Sequence, residues 1–243
     1  MSLVITGDGS PTLFCEAVSE HYHSTRDGAF SEALHKHVGP AWEHRIRGRA
    51  EVVVVDLCFG LGYNTLVLLW LLRRQGFAGR LRVFSPERDA ALLARLDSFP
   101  YPEQLAGLRP VIKSLASRRL WADRGWRVEI AVGEARSFLA GLRGPVDIIF
   151  HDPFSPQHNP ALWTREFFAE YRRLGAADLL VTTYSTATAV RLGLYENGFR
   201  IYQHRPAARV RSSTLATLGR LPGTAIDMEL KKKRNPAAAS LRD

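Results

Sequence analysis

The chain has 243 residues, 46% of them hydrophobic, and a formal net charge of +9 at pH 7. This length and composition predict one large domain with a hydrophobic core. The longest apolar run, Leu66–Leu72, is far shorter than the roughly 20 residues of a membrane span, and no secretory signal is visible at the N-terminus. Because Cys15 and Cys58 are the only cysteines, we expect no structural disulfide, a cytoplasmic location and no membrane partner.

The first predicted elements are a β-hairpin and a helix. Residues 3–6 and 12–15 flank a turn rich in glycine, which is typical of a hairpin. Apolar residues then recur at helical spacing over residues 30–42. Three histidines accompany this helix: His35, His37 and His44. Because no cysteine or carboxylate pattern goes with them, we interpret them as solvated side chains and expect no metal.

From residue 52 onward the sequence alternates between predicted strands and predicted helices. The strands are predicted at 52–56, 81–84, 127–132, 146–150, 178–183, 199–203 and 213–218, and the helices at 64–74, 89–96, 135–142, 164–174 and 187–197. Residues 101–121 are predicted to be helical with breaks. This alternation predicts a Rossmann-like α/β fold, in which a mostly parallel seven-stranded sheet carries helices on both faces. Residues 204–211 are too short and too basic for a crossover helix, so the final strand should be antiparallel.

The predicted elements divide the chain into three parts. Residues 1–50 are an N-terminal hairpin and helix packed on the core, residues 51–222 are the core, and residues 223–243 are a basic tail expected to be disordered. The positive charge favours a nucleic-acid partner, although a basic enzyme with solvated arginines is the alternative. The candidates for phosphate contacts are Arg209, Arg211, Lys231, Lys232, Lys233 and Arg234.

A glycine-rich loop follows the first strand of the core and begins with Asp56. Gly60 and Gly62 allow a ligand to approach the backbone closely, at the edge of the sheet where α/β proteins bind ligands. A branched side chain at Gly62 is expected to obstruct that ligand. A dinucleotide site would need a third glycine where Thr65 stands, so NAD is disfavoured. Asp56 suits a ligand with an ammonium group, which S-adenosylmethionine has. Asn64, which opens the next helix, is a further candidate for cofactor binding.

Two more acidic residues stand at the ends of predicted strands. Glu87 follows the second strand, where a carboxylate can accept hydrogen bonds from both ribose hydroxyls. Glu134 and Ala135 follow the third strand, at a place where an acid often lies near the adenine amino group. Capping of the following helix is the competing interpretation of both acids.

The segment after the fourth strand carries the candidate chemistry. Asp152 stands at the strand end, and Pro153 and Pro156 stiffen the loop that follows. This loop resembles the Asp-Pro-Pro-Tyr motif of amino-group methyltransferases, in which a carboxylate and a proline-region carbonyl hold the amine. Asp152 is therefore the candidate base, Pro153 a candidate amine contact, and Phe154 a candidate stacking partner for the substrate base. The alternative is that Asp152 only caps a turn.

Several segments together resemble a known family. They are FHDPFSPQHNPALW at 150–163, DLCFGLGYN at 56–64, EHYHSTRDGAFSEA at 20–33 and RVRSSTLAT at 209–217. The resemblance is to the tRNA 5-methylaminomethyl-2-thiouridine methyltransferase family, and it covers about residues 20–218. It implies a class I methyltransferase that uses S-adenosyl-L-methionine.

The family resemblance also implies a substrate, which is the aminomethyl nitrogen on the wobble uridine of certain tRNAs. The chain resembles a stand-alone methyltransferase form without the FAD-dependent oxidoreductase domain of some relatives. The resemblance also implies that Tyr22 and Glu32 belong to a segment that folds over the cofactor. Cys58 departs from the family, since it replaces the first glycine of the loop and would be strained at a positive φ.

Three other functions remain open at this stage. The chain could be a class I methyltransferase that acts on another amine, in a protein or a small molecule. It could be an aminopropyl transferase, although the usual glycine-richer loop is missing. It could also be an inactive cofactor-binding module that docks RNA, although the presence of Glu87 and Asp152 argues against inactivity.

Overall fold

A mixed eight-stranded sheet lies at the centre of the molecule, whose computed structural model describes residues 1–243. Its order is β10-β11-β9-β8-β4-β5-β7-β6. The strands are β4 (Glu51–Leu57), β5 (Arg80–Glu87), β6 (Leu120–Asp123), β7 (Trp126–Val132), β8 (Val146–His151), β9 (Gly175–Thr183), β10 (Arg200–His204) and β11 (Ser213–Thr217). The five strands from β9 to β7 are parallel, and β11 is antiparallel to both of its neighbours. The predicted fold and the predicted antiparallel final strand are therefore confirmed.

Helices cover both faces of this sheet. They are α3 (Tyr63–Arg74), α4 (Ala90–Arg95), α5 (Arg109–Arg118), α6 (Ala135–Gly141), α7 (Arg165–Leu174) and α8 (Thr188–Glu196). The valines of β4 alternate between two hydrophobic clusters, with Val52 and Val54 in one and Val53 and Val55 in the other. This alternation is the two-residue period of a strand that is buried on both sides.

The eighth strand, β6, corrects the prediction of a broken helix over residues 101–121. That region forms a 3-10 helix (Glu103–Leu108), then α5, and then an edge strand antiparallel to β7. The turn between β6 and β7 consists of Arg124 and Gly125, both at positive φ. A two-residue turn of this kind matches the twist of an antiparallel pair, so the Arg-Gly pair is the signal that the sequence prediction missed.

The N-terminal region forms a small antiparallel sheet and a long helical segment. The sheet has three strands instead of the two predicted: β1 (Ser2–Ile5), β2 (Pro11–Cys15) and β3 (Glu20–His21). The helical segment is continuous over residues 29–46. It consists of α1 (Ala29–Glu32), α2 (Gly39–Ala41) and the π-helical stretches Ala33–Val38 and Trp42–Ile46.

The C-terminal segment is folded, which corrects the expectation of a disordered tail. Helix α9 (Met228–Arg234) begins at Asp227, whose side chain accepts a hydrogen bond from the Leu230 amide. Leu241 then forms a β-bridge with Thr164, and Asp243 forms an ion pair with Arg136. None of the helices has the length and apolar character that crossing a bilayer requires.

Candidate active site

A cavity of about 1010 Å³ lies at the carboxyl ends of the central parallel strands. It brings together many of the side chains and loops that the sequence singled out. The predicted site residues that line it are Tyr22, Glu32, Gly60, Glu87, Glu134, Ala135, Asp152, Pro153, Phe154 and Arg211. The cavity is large enough for a nucleoside-sized ligand beside a second small group.

The remaining predicted residues do not line the cavity. They are Asp56, Gly62, Asn64, Arg209, Lys231, Lys232, Lys233 and Arg234. Asn64 contacts the cavity only through another residue, because its side-chain amide donates a hydrogen bond to Asp152 Oδ2 at 2.8 Å. Arg209 is exposed, and helix α9 carries the lysines and Arg234 on the surface of the molecule.

Asp56 is buried beneath the glycine loop. One carboxylate oxygen accepts a hydrogen bond from Thr65 Oγ1 at 2.6 Å, and the other has no partner. Burial raises the pKa of Asp56 to about 7, against the opposing effect of the Thr65 hydrogen bond. Contact between Asp56 and a cofactor ammonium group therefore stays a prediction.

Three residues of the glycine loop adopt positive φ values: 65° at Cys58, 54° at Gly60 and 74° at Gly62. A Cβ at Gly60 would lie 3.1 Å from the ring of Tyr22, inside the cavity. A Cβ at Gly62 would lie 2.6 Å from the ring of Phe59. A branched side chain at Gly62 would thus strain the loop itself, which corrects the expectation that it would enter the path of the ligand.

Glu87 is fixed by backbone donors at the end of β5. Its Oε2 accepts from the Gly60 amide and its Oε1 from the Asp89 amide, both at 2.8 Å. Burial raises the pKa of Glu87, although these amides oppose the effect. Asp89, and not Glu87, is the N-cap of α4. The Glu87 carboxylate is thus held with lone pairs free for further donors in the cavity.

Glu134 occupies the N-cap position of α6 but makes no capping hydrogen bond with its side chain. Its carboxylate is 67% exposed and lies 3.8 Å from Arg88. Ala135, the first residue of α6, is buried beside it. The Glu134 carboxylate thus lies exposed at the rim of the cavity, available to a ligand.

Asp152 lies at the end of β8 with its side chain 11% exposed. Besides Asn64, it faces His37, whose Nε2 lies 3.6 Å from Asp152 Oδ1. Burial by itself raises the pKa of this carboxyl, but His37 and further polar neighbours bring the pKa below its usual value. Asp152 is therefore held as a carboxylate at the cavity wall.

The position of His37 corrects its interpretation as a solvated side chain. It is fully buried, and its Nδ1 lies 2.7 Å from Thr182 Oγ1. His37 shares the buried side of its helical segment with Ala33 and Ala41, four residues before and after it. That spacing is the signal that could have identified it. The structure contains no group of three His, Cys, Asp or Glu side chains arranged to hold a metal.

The loop after Asp152 is held by two aromatic donors. Tyr184 donates its hydroxyl to the Pro153 carbonyl at 3.1 Å, and the Trp163 indole donates to the Phe154 carbonyl at 2.8 Å. The ring of Phe154 packs against Tyr22, with 5.0 Å between centroids. The loop therefore presents Asp152 and Phe154 to the cavity in a fixed geometry.

Residues 20–32, here called the strap, cross the cavity and connect its two sides. At one end, Glu20 accepts hydrogen bonds from the amide and hydroxyl of Ser155 and faces His158 Nδ1 at 2.9 Å. At the other end, Glu32 accepts from the Ser24 amide and from buried Lys36. The sequence indicated the strap through Tyr22 and Glu32, but it gave no sign of the partners of Glu20 and Glu32.

Arg211 also holds the strap. Its guanidinium donates to Asp27 at 3.0 Å and to Ser24 at 2.9 Å. Lys36 pairs with the same Asp27 carboxylate at 2.9 Å. Arg211 therefore already has an anionic partner within the chain, which a residue dedicated to phosphate contact would lack.

Solved structures and a family model resemble this chain. A family model described as S-adenosyl-L-methionine-dependent methyltransferase matches residues 106–219. The crystal structure of MNMC2 from Aquifex aeolicus has a TM-score of 0.85 at 29% identity, and the match covers 100% of this chain and 78% of that one. Spermidine synthase from Thermotoga maritima, with a TM-score of 0.52 at 14% identity over 100% of this chain and 80% of that one, shares the fold alone.

Curated relatives are similar over most of the chain. An uncharacterized protein of Methanocaldococcus jannaschii is 30% identical over 222 residues, which are 88% of this chain and 58% of that protein. The tRNA 5-methylaminomethyl-2-thiouridine biosynthesis bifunctional protein MnmC of Azoarcus sp. is 35% identical over 213 residues, which are 82% of this chain and 33% of that protein. The chain thus spans only part of the length of these relatives.

The sheet and the cavity at its strand ends are those of the class I methyltransferase fold. The chain belongs to the S-adenosyl-L-methionine-dependent methyltransferase family that includes the methyltransferase domain of MnmC. The resemblance and the cofactor predicted from the sequence are therefore confirmed.

Proposed function

We propose that this methyltransferase methylates the aminomethyl nitrogen on the wobble uridine of tRNA, converting 5-aminomethyl-2-thiouridine to 5-methylaminomethyl-2-thiouridine. The observation that carries the proposal is the position of Asp152, a buried carboxylate at the cavity wall beside an aromatic residue, Phe154. MnmC is named for tRNA 5-methylaminomethyl-2-thiouridine biosynthesis, which supports the choice of substrate. We propose the same methylation of tRNA as the activity of this protein in the cell.

The residues on one side of the cavity fit the cofactor. Glu87 has lone pairs free to accept both ribose hydroxyls, and Gly60 leaves room for a ligand beside Tyr22. Glu134 and Ala135 would face the adenine, and Glu32 would fix the strap over the cofactor. When bound, S-adenosyl-L-methionine supplies an electrophilic methyl group.

Asp152 would act on the amine. An alkylammonium with a pKa near 10, by analogy with lysine, is mostly protonated at neutral pH, and its lone pair must be free before it attacks. The ionised Asp152 can accept this proton, while the Asn64 amide holds one carboxylate oxygen in place and His37 faces the other. The Pro153 carbonyl would hold the amine, and Phe154 would stack on the uracil ring.

The decisive experiment is transfer of a labelled methyl group from S-adenosyl-L-methionine onto bulk tRNA. The tRNA should come from cells in which the methylation step is blocked, and its nucleosides should then be analysed. We expect label only in 5-methylaminomethyl-2-thiouridine. Label in a different nucleoside, or none with active protein, would reject this substrate. In a parallel assay, the protein fraction of the same cells replaces the tRNA, and label there would favour a class I methyltransferase acting on another amine.

A further inference from the structure

Arg191 carries a buried positive charge that the cofactor and Asp152 do not use. It lies in α8, lines the cavity and is 6% exposed. Only its Nε is hydrogen-bonded, to Thr214 Oγ1 at 2.9 Å, and its Nη2 has no partner. No carboxylate forms an ion pair with this guanidinium. Burial lowers the pKa of Arg191.

Of the other lysine and arginine side chains that line the cavity, Arg26 is exposed to solvent and the rest face a carboxylate. Lys36 pairs with Glu32 and Asp27, and Arg211 pairs with Asp27. An unpaired buried charge is strongly unfavourable, because water no longer solvates it. Arg191 is therefore arranged for an anion that comes with a ligand.

The guanidinium is held in a fixed orientation. The Thr214 hydroxyl that accepts from Arg191 donates its own hydrogen to the Ser185 carbonyl at 2.7 Å. The cavity is also lined by three uncharged polar residues from the same C-terminal part of the chain as Arg191 and Thr214. They are Thr186, Gln203 and Ser212. The two terminal nitrogens of Arg191 thus remain free to donate to an oxyanion.

The sheet order indicates which ligand carries that anion. Thr214 lies on β11 and Glu87 on β5, and β8, which Asp152 directly follows, lies between them. At the usual strand spacing, β11 is about 14 Å from β4 and its glycine loop. The cofactor side and the Arg191 side are therefore on opposite sides of Asp152, so the anion belongs to the methyl acceptor.

We propose that Arg191 forms a subsite for a backbone phosphate of the RNA acceptor, next to the nucleotide that enters the cavity. This proposal rests on the proposed tRNA function. The carboxylate of the cofactor is the competing anion, and the experiment distinguishes the two.

The test uses a synthetic anticodon stem-loop RNA in which single phosphates around the wobble nucleotide are replaced by neutral methylphosphonates. We expect the wild-type protein to lose about tenfold or more in affinity at one particular linkage, as for a hydrogen bond to a charged group. Arg191→Met should bind the all-phosphate RNA about tenfold or more weakly than the wild type does. Its affinity should fall no further when the sensitive linkage is made neutral. Arg118→Met, an exposed arginine of α5, is the matched control and should behave as wild type.

A thermal melt separates this role from a structural one. Removing an unpaired buried charge should leave the Tm of Arg191→Met equal to or above that of the wild type. A lower Tm would indicate that the guanidinium stabilises the fold and would contradict the proposal. Arg191→Lys, which keeps the charge, should retain sensitivity to the same linkage.

Three further outcomes would overturn the proposal. One is wild-type affinity that does not depend on which linkage is neutral. A second is weaker binding of S-adenosylhomocysteine by Arg191→Met with unchanged binding of 5′-methylthioadenosine, which lacks the carboxylate. The third is no RNA binding by the wild type, which would reject the proposed tRNA function as well. Methylation of tRNA with no linkage effect would reject the subsite alone.

Discussion

Asp152 is the residue on which the proposed chemistry depends, and its surroundings predict the effect of a substitution. Asp152→Asn keeps the size of the side chain but removes its charge and basicity. We expect turnover to fall by about 10²–10⁴, the range of a general base. Affinity for cofactor and tRNA should change little, because the missing interaction belongs to the transition state. Single-turnover methyl transfer and calorimetry measure the two effects. Near-wild-type turnover at neutral pH would mean that Asp152 only supports the loop.

His37 is a positioning residue for Asp152, and its contribution should depend on pH. His37 lowers the pKa of Asp152 against the effect of burial. In His37→Gln the effect of burial is less opposed, so the pKa of Asp152 should rise. Because Asp152 must be ionised to accept a proton, the acidic limb of the pH–turnover profile should then move to higher pH. His35→Gln, in the same helical segment, should leave the profile unchanged. An unshifted profile in His37→Gln would remove this role.

Asp56 should make stability depend on pH. Its pKa is raised from 3.8 to about 7 in the folded state. Between these values the unfolded chain is ionised while the folded chain holds the proton, so stability falls as pH rises from about 4 to 7. Over that window the wild type should lose about 4 kcal/mol relative to Asp56→Asn. Urea unfolding of both proteins at pH 4, 5.5, 7, 8 and 9 measures this difference, which should become constant above about pH 8. A difference independent of pH would show that the buried carboxylate is already ionised at pH 4.

At the scale of elements, the strap connects the N-terminal sheet to the loop that carries Asp152. Glu20 makes this connection through Ser155 and His158. Glu20→Ala should open the strap at that end and let the cofactor dissociate about 2- to 10-fold faster, as expected for one or two hydrogen bonds. Stopped-flow displacement of bound cofactor measures the rate. Glu16→Ala, which removes an exposed glutamate paired only with the N-terminal amine, is the control. Equal rates in the two variants would mean that the strap does not retain the cofactor.

For the whole molecule, the distribution of charge predicts how tRNA binding depends on salt. The cations of α9 are Lys231, Lys232, Lys233 and Arg234, and they carry no ion pair with another side chain. Replacing all four by glutamine should make the dependence of log affinity on log salt less steep. The slope should decrease in magnitude by about 0.7–0.9 for each phosphate that these side chains neutralise in the wild type. Cofactor affinity should stay the same, because α9 does not line the cavity. Lys113→Gln with Arg118→Gln, on exposed positions of α5, is the control. A slope equal to that of the wild type would exclude α9 from the RNA interface.

The sequence by itself determined the α/β fold class and which side chains stand at the strand ends that form the cavity. Strand–helix alternation follows from local periodicity, and Glu87 and Asp152 were found because each stands at the end of a strand. The carboxyl ends of parallel strands meet at one edge, so a position along the chain translates directly into a position in the site. The same local reasoning missed β6, which lies partly within the region predicted to be a broken helix and is followed by the Arg124–Gly125 turn.

Only the tertiary structure decided which side chains support that site. His37 contacts Thr182, which lies 145 residues later, and Glu20 contacts Ser155, which lies 135 residues later. Arg191 is distinguished by what it lacks, a partner for a buried charge. Burial and the pairing of charges depend on chain segments that meet only when the whole domain has folded. Local sequence patterns therefore do not contain this information.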